Sequence, residues 1–173
     1  MSNIITESFE ETREELLELV RGLSDEAFNA KPSEDRWSIG QIYHHLALVE
    51  LATVKAVQWG VKEDKDTKTE QKNISPMLNR KKKFPAPKVV EPGGGPFEVK
   101  EIVEMLNNSR KKLLATVNSL EDSSSLYEKS VVHPAFGLLP LNQWVEAVPL
   151  HEQRHMEQIK EIMGNNTSML LKE

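Results

Sequence analysis

Apolar positions recur at helical spacing in four separate stretches of the chain. In residues 4–23, Ile5, Phe9, Leu16, Val20 and Leu23 fall three, four and seven apart, the period of a helix with one buried face. Acids come early in this stretch and Arg21 comes late, as the helix dipole favours. Ser24-Asp25-Glu26 then reads as the cap of a short turn ending near Ala30, ahead of Pro32. A second helix is predicted from Ser38 to about Val61. Gln41, three residues after Ser38, completes a capping box, and Trp37 just outside is placed to staple onto Ile42.

Between residues 63 and 96 the pattern breaks. Five of the nine prolines and the run Gly93-Gly94-Gly95 fall there, a composition that sustains neither a long helix nor a central strand. Phe84, Val89 and Val90 are apolar enough to pin this crossover onto the body. A third helix follows Pro96, its stripe formed by Val99, Ile102, Val103, Leu106, Leu113, Leu114, Val117 and Leu120. The fourth spans about 141–163, with Asn142 as candidate cap and Gly164-Asn165 as stop. Pro149 inside it removes a backbone bond and crowds the carbonyl of Val145, at a cost of about 3 kcal/mol in a straight helix, which predicts a kink at Val145–Pro149. Residues 127–140 read as a loop with one extended piece. Four amphipathic helices with one long connection between the second and third specify an all-α four-helix bundle, up-down-down-up or a related order, as a single domain over 1–173. The alternating short strands of an all-β or α/β chain are missing.

Composition narrows the function classes. Lys+Arg 22 against Asp+Glu 27 gives −5, so the broad positive field of a nucleic-acid binder is absent and nucleic acid is not an expected partner. With no cysteine, disulfides, thiolate nucleophiles and Cys-ligated metals are excluded, and any metal site must use His and carboxylate. Residues 1–7 lack a basic region followed by an apolar core, and Glu50 interrupts the most apolar stretch, 46–57. A cytoplasmic protein without a membrane span is therefore expected.

Four of the five histidines, His44, His45, His151 and His155, fall in the second and fourth helices. His151 and His155 are four apart and share one helix face, with Cβ atoms about 5–6 Å from one another. On the second helix, Ile42, Leu46, Val49 and Thr53 make the inward stripe. His45 falls within it, whereas His44 groups with Gln41, Leu48 and Leu51 about 100° round. Three imidazoles converging in an apolar bundle are costly unless their lone pairs are used, and a divalent cation accepts all three and keeps positions for water or substrate. The residues alone leave two readings standing, a His45/His151/His155 metal site or histidines simply buried or solvated. Glu50, Glu152 and Gln158 are near enough in sequence to take a ligand's other N–H. His133, in a His-Pro turn, is placed to hold its loop against the bundle, and Arg80-Lys81-Lys82-Lys83 reads as a solvated surface run.

Trp37-Ser38-Ile39-Gly40-Gln41-Ile42-Tyr43-His44-His45-Leu46, His133-Pro134-Ala135-Phe136-Gly137, Leu141-Asn142-Gln143-Trp144 and His151-Glu152-Gln153-Arg154-His155-Met156-Glu157-Gln158-Ile159 together resemble the DinB-like superfamily over most of the chain. The resemblance implies a four-helix bundle holding a metal, often nickel or zinc, with His45 as the second-helix ligand and His151 and His155 as the fourth-helix pair. Relatives include thiol S-transferases and a thiol-dependent isomerase, so a metal-dependent transferase or hydrolase acting on a small electrophile is implied, with a low-molecular-weight thiol as a candidate cofactor. Relatives of this kind often pair as homodimers through helix faces. A stress-associated bundle that binds metal or ligand without turnover is the alternative, because no acid or base is clearly placed beside the histidines.

Overall fold

The capping signal at Ser38 sets the second long helix in place: Ser38 Oγ accepts the Gln41 N–H, and the Gln41 side chain accepts the Ser38 N–H, both at 3.1 Å. In the computed structural model, which describes residues 3–170 and the side chains of 7–164, four long helices form. They are α1 (Asn3–Leu19), α3 (Ile39–Gly60), α4 (Val99–Asn118) and α6 (Leu141–Leu170). Two short helices, α2 (Asp25–Asn29) and α5 (Ser125–Glu128), and an antiparallel hairpin of β1 (Ser130–His133) and β2 (Gly137–Pro140) complete the elements.

Contacts between the helices fix their directions. Arg13 meets Glu50 and the Tyr43 hydroxyl donates to the Leu16 carbonyl, so α1 and α3 are antiparallel. Gly40 lies beside Phe97, and Glu50 meets Ser109 and Arg110, so α3 and α4 run parallel. Gly60 lies beside Leu141, and His45 meets His151, so α6 runs opposite to α3. The order is up-down-down-up. Parallel α3 and α4 require the crossover to travel back along the whole of α3, about 33 Å for its length, which accounts for so long a connection. At the far end Gly60 is required by close approach: a Cβ there would stand 2.9 Å from Leu141 and Val131 side-chain carbons.

The core falls into two apolar clusters. One gathers Phe9, Val57, Leu113, Leu141 and Val148, and the other Leu16, Tyr43, Leu106, Met156 and Ile159. None of the helices among the described residues is long and apolar enough to cross a membrane.

Several local expectations are corrected. α1 ends at Leu19 rather than near Leu23, because the chain turns through Gly22 at φ 77, a left-handed conformation that glycine adopts without cost. The side chain of Ile5 lies outside the described residues. α6 passes Gly164-Asn165 and continues to Leu170; a lone exposed helical glycine costs about 1 kcal/mol and does not by itself stop a helix. Asn142 lies inside α6 and bonds Gln71 and Glu146 instead of capping. In the crossover Val90 is buried while Val89 is 80% exposed, since the short 3-10 turn Lys88–Val90 presents only one of the two to α3. Instead of a loop with one extended piece, residues 127–140 hold the end of α5 followed by a two-stranded hairpin over 130–140.

Candidate metal centre

His45 comes from the second turn of α3, His151 and His155 from successive turns of α6, and their side chains meet. His45 and His155 are buried and His151 is half-buried. The Nε2 of His151 lies 3.3 Å from that of His45 and 3.2 Å from that of His155, and one ring nitrogen from each of the three falls within 4.8 Å of the others. The Nδ1–H of His45 donates to the Val90 carbonyl at 2.7 Å, and that of His155 donates to Gln158 Oε1 at 2.9 Å. With the proton held on Nδ1, both rings present Nε2 as a lone pair.

Burial pushes all three imidazoles towards the neutral form. It lowers His45, lowers His151 well below the ordinary histidine value with His155 and His45 adding to the effect, and brings His155 down to about 3. Three neutral rings therefore face one point with at most one proton among their Nε2 atoms. A tetrahedral cation bound at about 2.0–2.1 Å by imidazoles sets its ligand nitrogens about 3.3–3.4 Å apart, which matches the two spacings seen. The donor set and these distances fit a divalent metal ion. The Trp37 ring, 5.0 Å from that of His45, shields one side.

The other histidines stay out of this cluster. His44 Nδ1 accepts the Gly93 N–H at 3.0 Å and its ring lies against Phe97. His133 Nδ1 accepts the Ala135 N–H, and its ring is wedged between Trp144 and Phe136, so it pins the hairpin turn to α6 as its His-Pro context suggests. Of the three candidates for a ligand's other N–H, Gln158 takes the role. Glu50 and Glu152 turn away to Arg13 and Arg110. The partner of His45 is a backbone carbonyl of the crossover, which no side-chain pattern could reveal. Arg154, on α6 between the two ligand candidates, binds the carbonyls of Met77, Asn79 and Lys82 and so straps that crossover beside the cluster. Arg80 pairs with Glu161 and Lys82 lies over the Phe84 ring, so part of the basic run is docked rather than free in solvent.

Beside the histidines lies a charge square that the sequence reading missed. Arg13 of α1, Glu50 of α3, Arg110 of α4 and Glu152 of α6 meet at 2.6–2.9 Å, each side chain at most 10% exposed. Thr12 donates to Glu152 and Ser109 to Glu50, while Arg13 and Arg110 also bond the Leu106 and Phe9 carbonyls. A signal was present: Arg13 falls between Phe9 and Leu16, and Arg110 between Leu106 and Leu113, at the four-then-three spacing of core positions.

The comparisons agree with this architecture. The profile of the DinB superfamily matches residues 8–159. The uncharacterized protein YuaE of Bacillus subtilis (strain 168) is 32% identical over 154 residues, spanning 89% of this chain and 94% of that protein. Among solved structures, TT2238, described as a four-helix bundle protein, superposes with a TM-score of 0.63 at 20% identity over 93% of this chain and 99% of its own, a likeness of fold alone. With the match covering all four long helices, their up-down-down-up order and the three-histidine cluster capable of holding a metal, the chain belongs to the DinB superfamily.

Proposed function

We propose that this protein is a metal-dependent enzyme of the thiol S-transferase or hydrolase type, acting on a small electrophile, with His45, His151 and His155 as ligands to nickel or zinc. The observation that carries the reading is the convergence of three neutral imidazoles whose Nε2 atoms carry at most one proton among them, so that lone pairs outnumber donors within the cluster. A cation held by three protein ligands keeps a coordination position for water or a thiol and lowers its pKa, which supplies a nucleophile at neutral pH to a chain without cysteine. The protein's own part is to orient and to exclude water. Val90 and Gln158 fix the tautomers of His45 and His155, and Trp37 covers the His45 ring. His151 is the least buried of the three and marks the approach.

One observation favours a second reading, a bundle that binds metal or ligand without turnover. The carboxylates Glu50 and Glu152 are consumed by arginines, Glu157 pairs with Lys160, and no other acid or base among the described residues bonds the cluster. Two measurements decide. Protein purified without chelator and offered nickel or zinc should carry about one ion per chain, and His45→Ala or His155→Ala should carry none; wild-type protein that stays metal-free ends the reading. A conjugation screen over several small thiols and electrophiles then separates turnover from storage.

A further inference from the structure

The charge square is costly to bury, yet stability gives no sufficient reason for it. Four ions taken from water cost several kcal/mol each before pairing, and well-packed apolar side chains in such a place are often as stable or more so. What the square has that apolar packing lacks is direction. Hydrophobic contact is non-directional and tolerates small slides of one helix along another, whereas a slide of one residue, about 1.5 Å, carries a charged hydrogen bond beyond reach.

The square places that directional demand beside the histidines. Glu152 directly follows His151, and Glu50 lies five residues beyond His45 on α3. Both carboxylates are held by the same two guanidiniums: Arg13 reaches Glu50 and Glu152 at 2.8 Å each, and Arg110 reaches them at 2.6 and 2.9 Å. The longitudinal register of α3 against α6 is therefore set through Arg13 and Arg110, on the two helices that carry no histidine of the cluster. Thr12 and Ser109, from those same two helices, occupy the remaining carboxylate oxygens, so each acid has a single seat.

We propose that Arg13, Glu50, Arg110 and Glu152 are positioning residues that hold α3 and α6 in the register at which His45 meets His151 and His155. This rests on the metal reading above and adds to it the means by which two separate helices meet the tolerance of a metal bond, about 0.2 Å. Replacing the square by an apolar layer should then leave a folded bundle with a loosened cluster.

The test uses Co2+ as probe, because its visible absorption reports coordination geometry, with His45→Ala as the blank. In the quadruple variant Arg13→Met, Glu50→Met, Arg110→Met, Glu152→Met, helicity and a cooperative melt should persist while Co2+ affinity falls about tenfold or more and the visible bands shift. A folded quadruple variant with wild-type affinity and bands overturns the proposal. Where that variant does not fold, Glu152→Asp and Arg13→Lys decide. They keep every charge but draw the carboxylate back towards α6 or replace the guanidinium fork by a single ammonium, so shifted bands at unchanged helicity support the proposal and unchanged bands and affinity overturn it. Wild-type protein that binds no Co2+ fails differently, since it removes the metal reading itself and with it the object of the positioning.

Discussion

Two polar clusters lie within about two helical turns of one another inside the bundle. In the charge square, two guanidiniums face two carboxylates, the formal charges cancel, and hydroxyls and backbone carbonyls take up further hydrogen-bonding sites. In the histidine cluster, three neutral rings turn lone pairs towards one another and share no carboxylate. The first is complete within the chain, whereas the second holds more lone pairs than protons. A buried group left unpaired is paid for in stability, so the histidines' arrangement points to a bound partner, while the square needs none.

The comparison can be broken by perturbing each side. Glu152→Ala leaves two buried guanidiniums with Glu50 as their one carboxylate and should cost about 3–5 kcal/mol in urea unfolding, with or without metal; a cost under about 1 kcal/mol would mean that the square is not closed to water. The histidines should behave oppositely, being stabilised by an added ligand. Zinc at about a hundred times its Kd should raise the unfolding free energy by about 2.7 kcal/mol, and His45→Ala should show no such gain in a thermal melt. Gln158→Leu removes the acceptor for His155 Nδ1–H and should weaken zinc binding about 10–100-fold, read by competition with a chelating dye, while the unpaired donor costs the metal-free protein about 1–3 kcal/mol in urea unfolding.

The smallest effect concerns His133, outside both clusters. Burial lowers its pKa from the ordinary 6.5 to about 4, so between those values the unfolded chain binds a proton that the folded chain refuses. Stability is full above pH 6.5 and is lost as pH falls towards 4. Acidification from about pH 7 to about pH 5 should cost about 1–2 kcal/mol through this residue. His133→Phe, which keeps ring contact with Trp144 and Phe136, should flatten that part of the curve; an unchanged pH dependence would show that the ring is hydrated in the folded state.

Much of this was legible in the chain because helical period decides which side chains share a face. The stripe of Ile42, Leu46 and Thr53 put His45 inward and His44 outward, and the four-residue spacing put His151 over His155. The capping box fixed where α3 begins. Legibility failed where the deciding partner is backbone or distant in sequence. The Val90 carbonyl has no signature, since every residue carries one, and Val89 and Val90 are alike until a turn chooses between them. Gly164 reads as a stop only under the rule that glycine ends helices, and its surroundings do not enforce it. The square was readable in principle, because a charged residue at a core position needs a counter-charge. Two acids and two bases so placed in four different helices imply one another.

Where the crossover passes the histidines it is tied down largely through main-chain atoms: Val90 to His45, Gly93 to Gln41 and His44, and Met77, Asn79 and Lys82 to Arg154. Such a tether does not read side chains. The carbonyls at positions 79, 82 and 90 are thus indifferent to which side chains those residues carry, provided the length and path of the strap are kept; removing a few residues would do what substitutions there would not, and pull the carbonyl away from the histidine it orients.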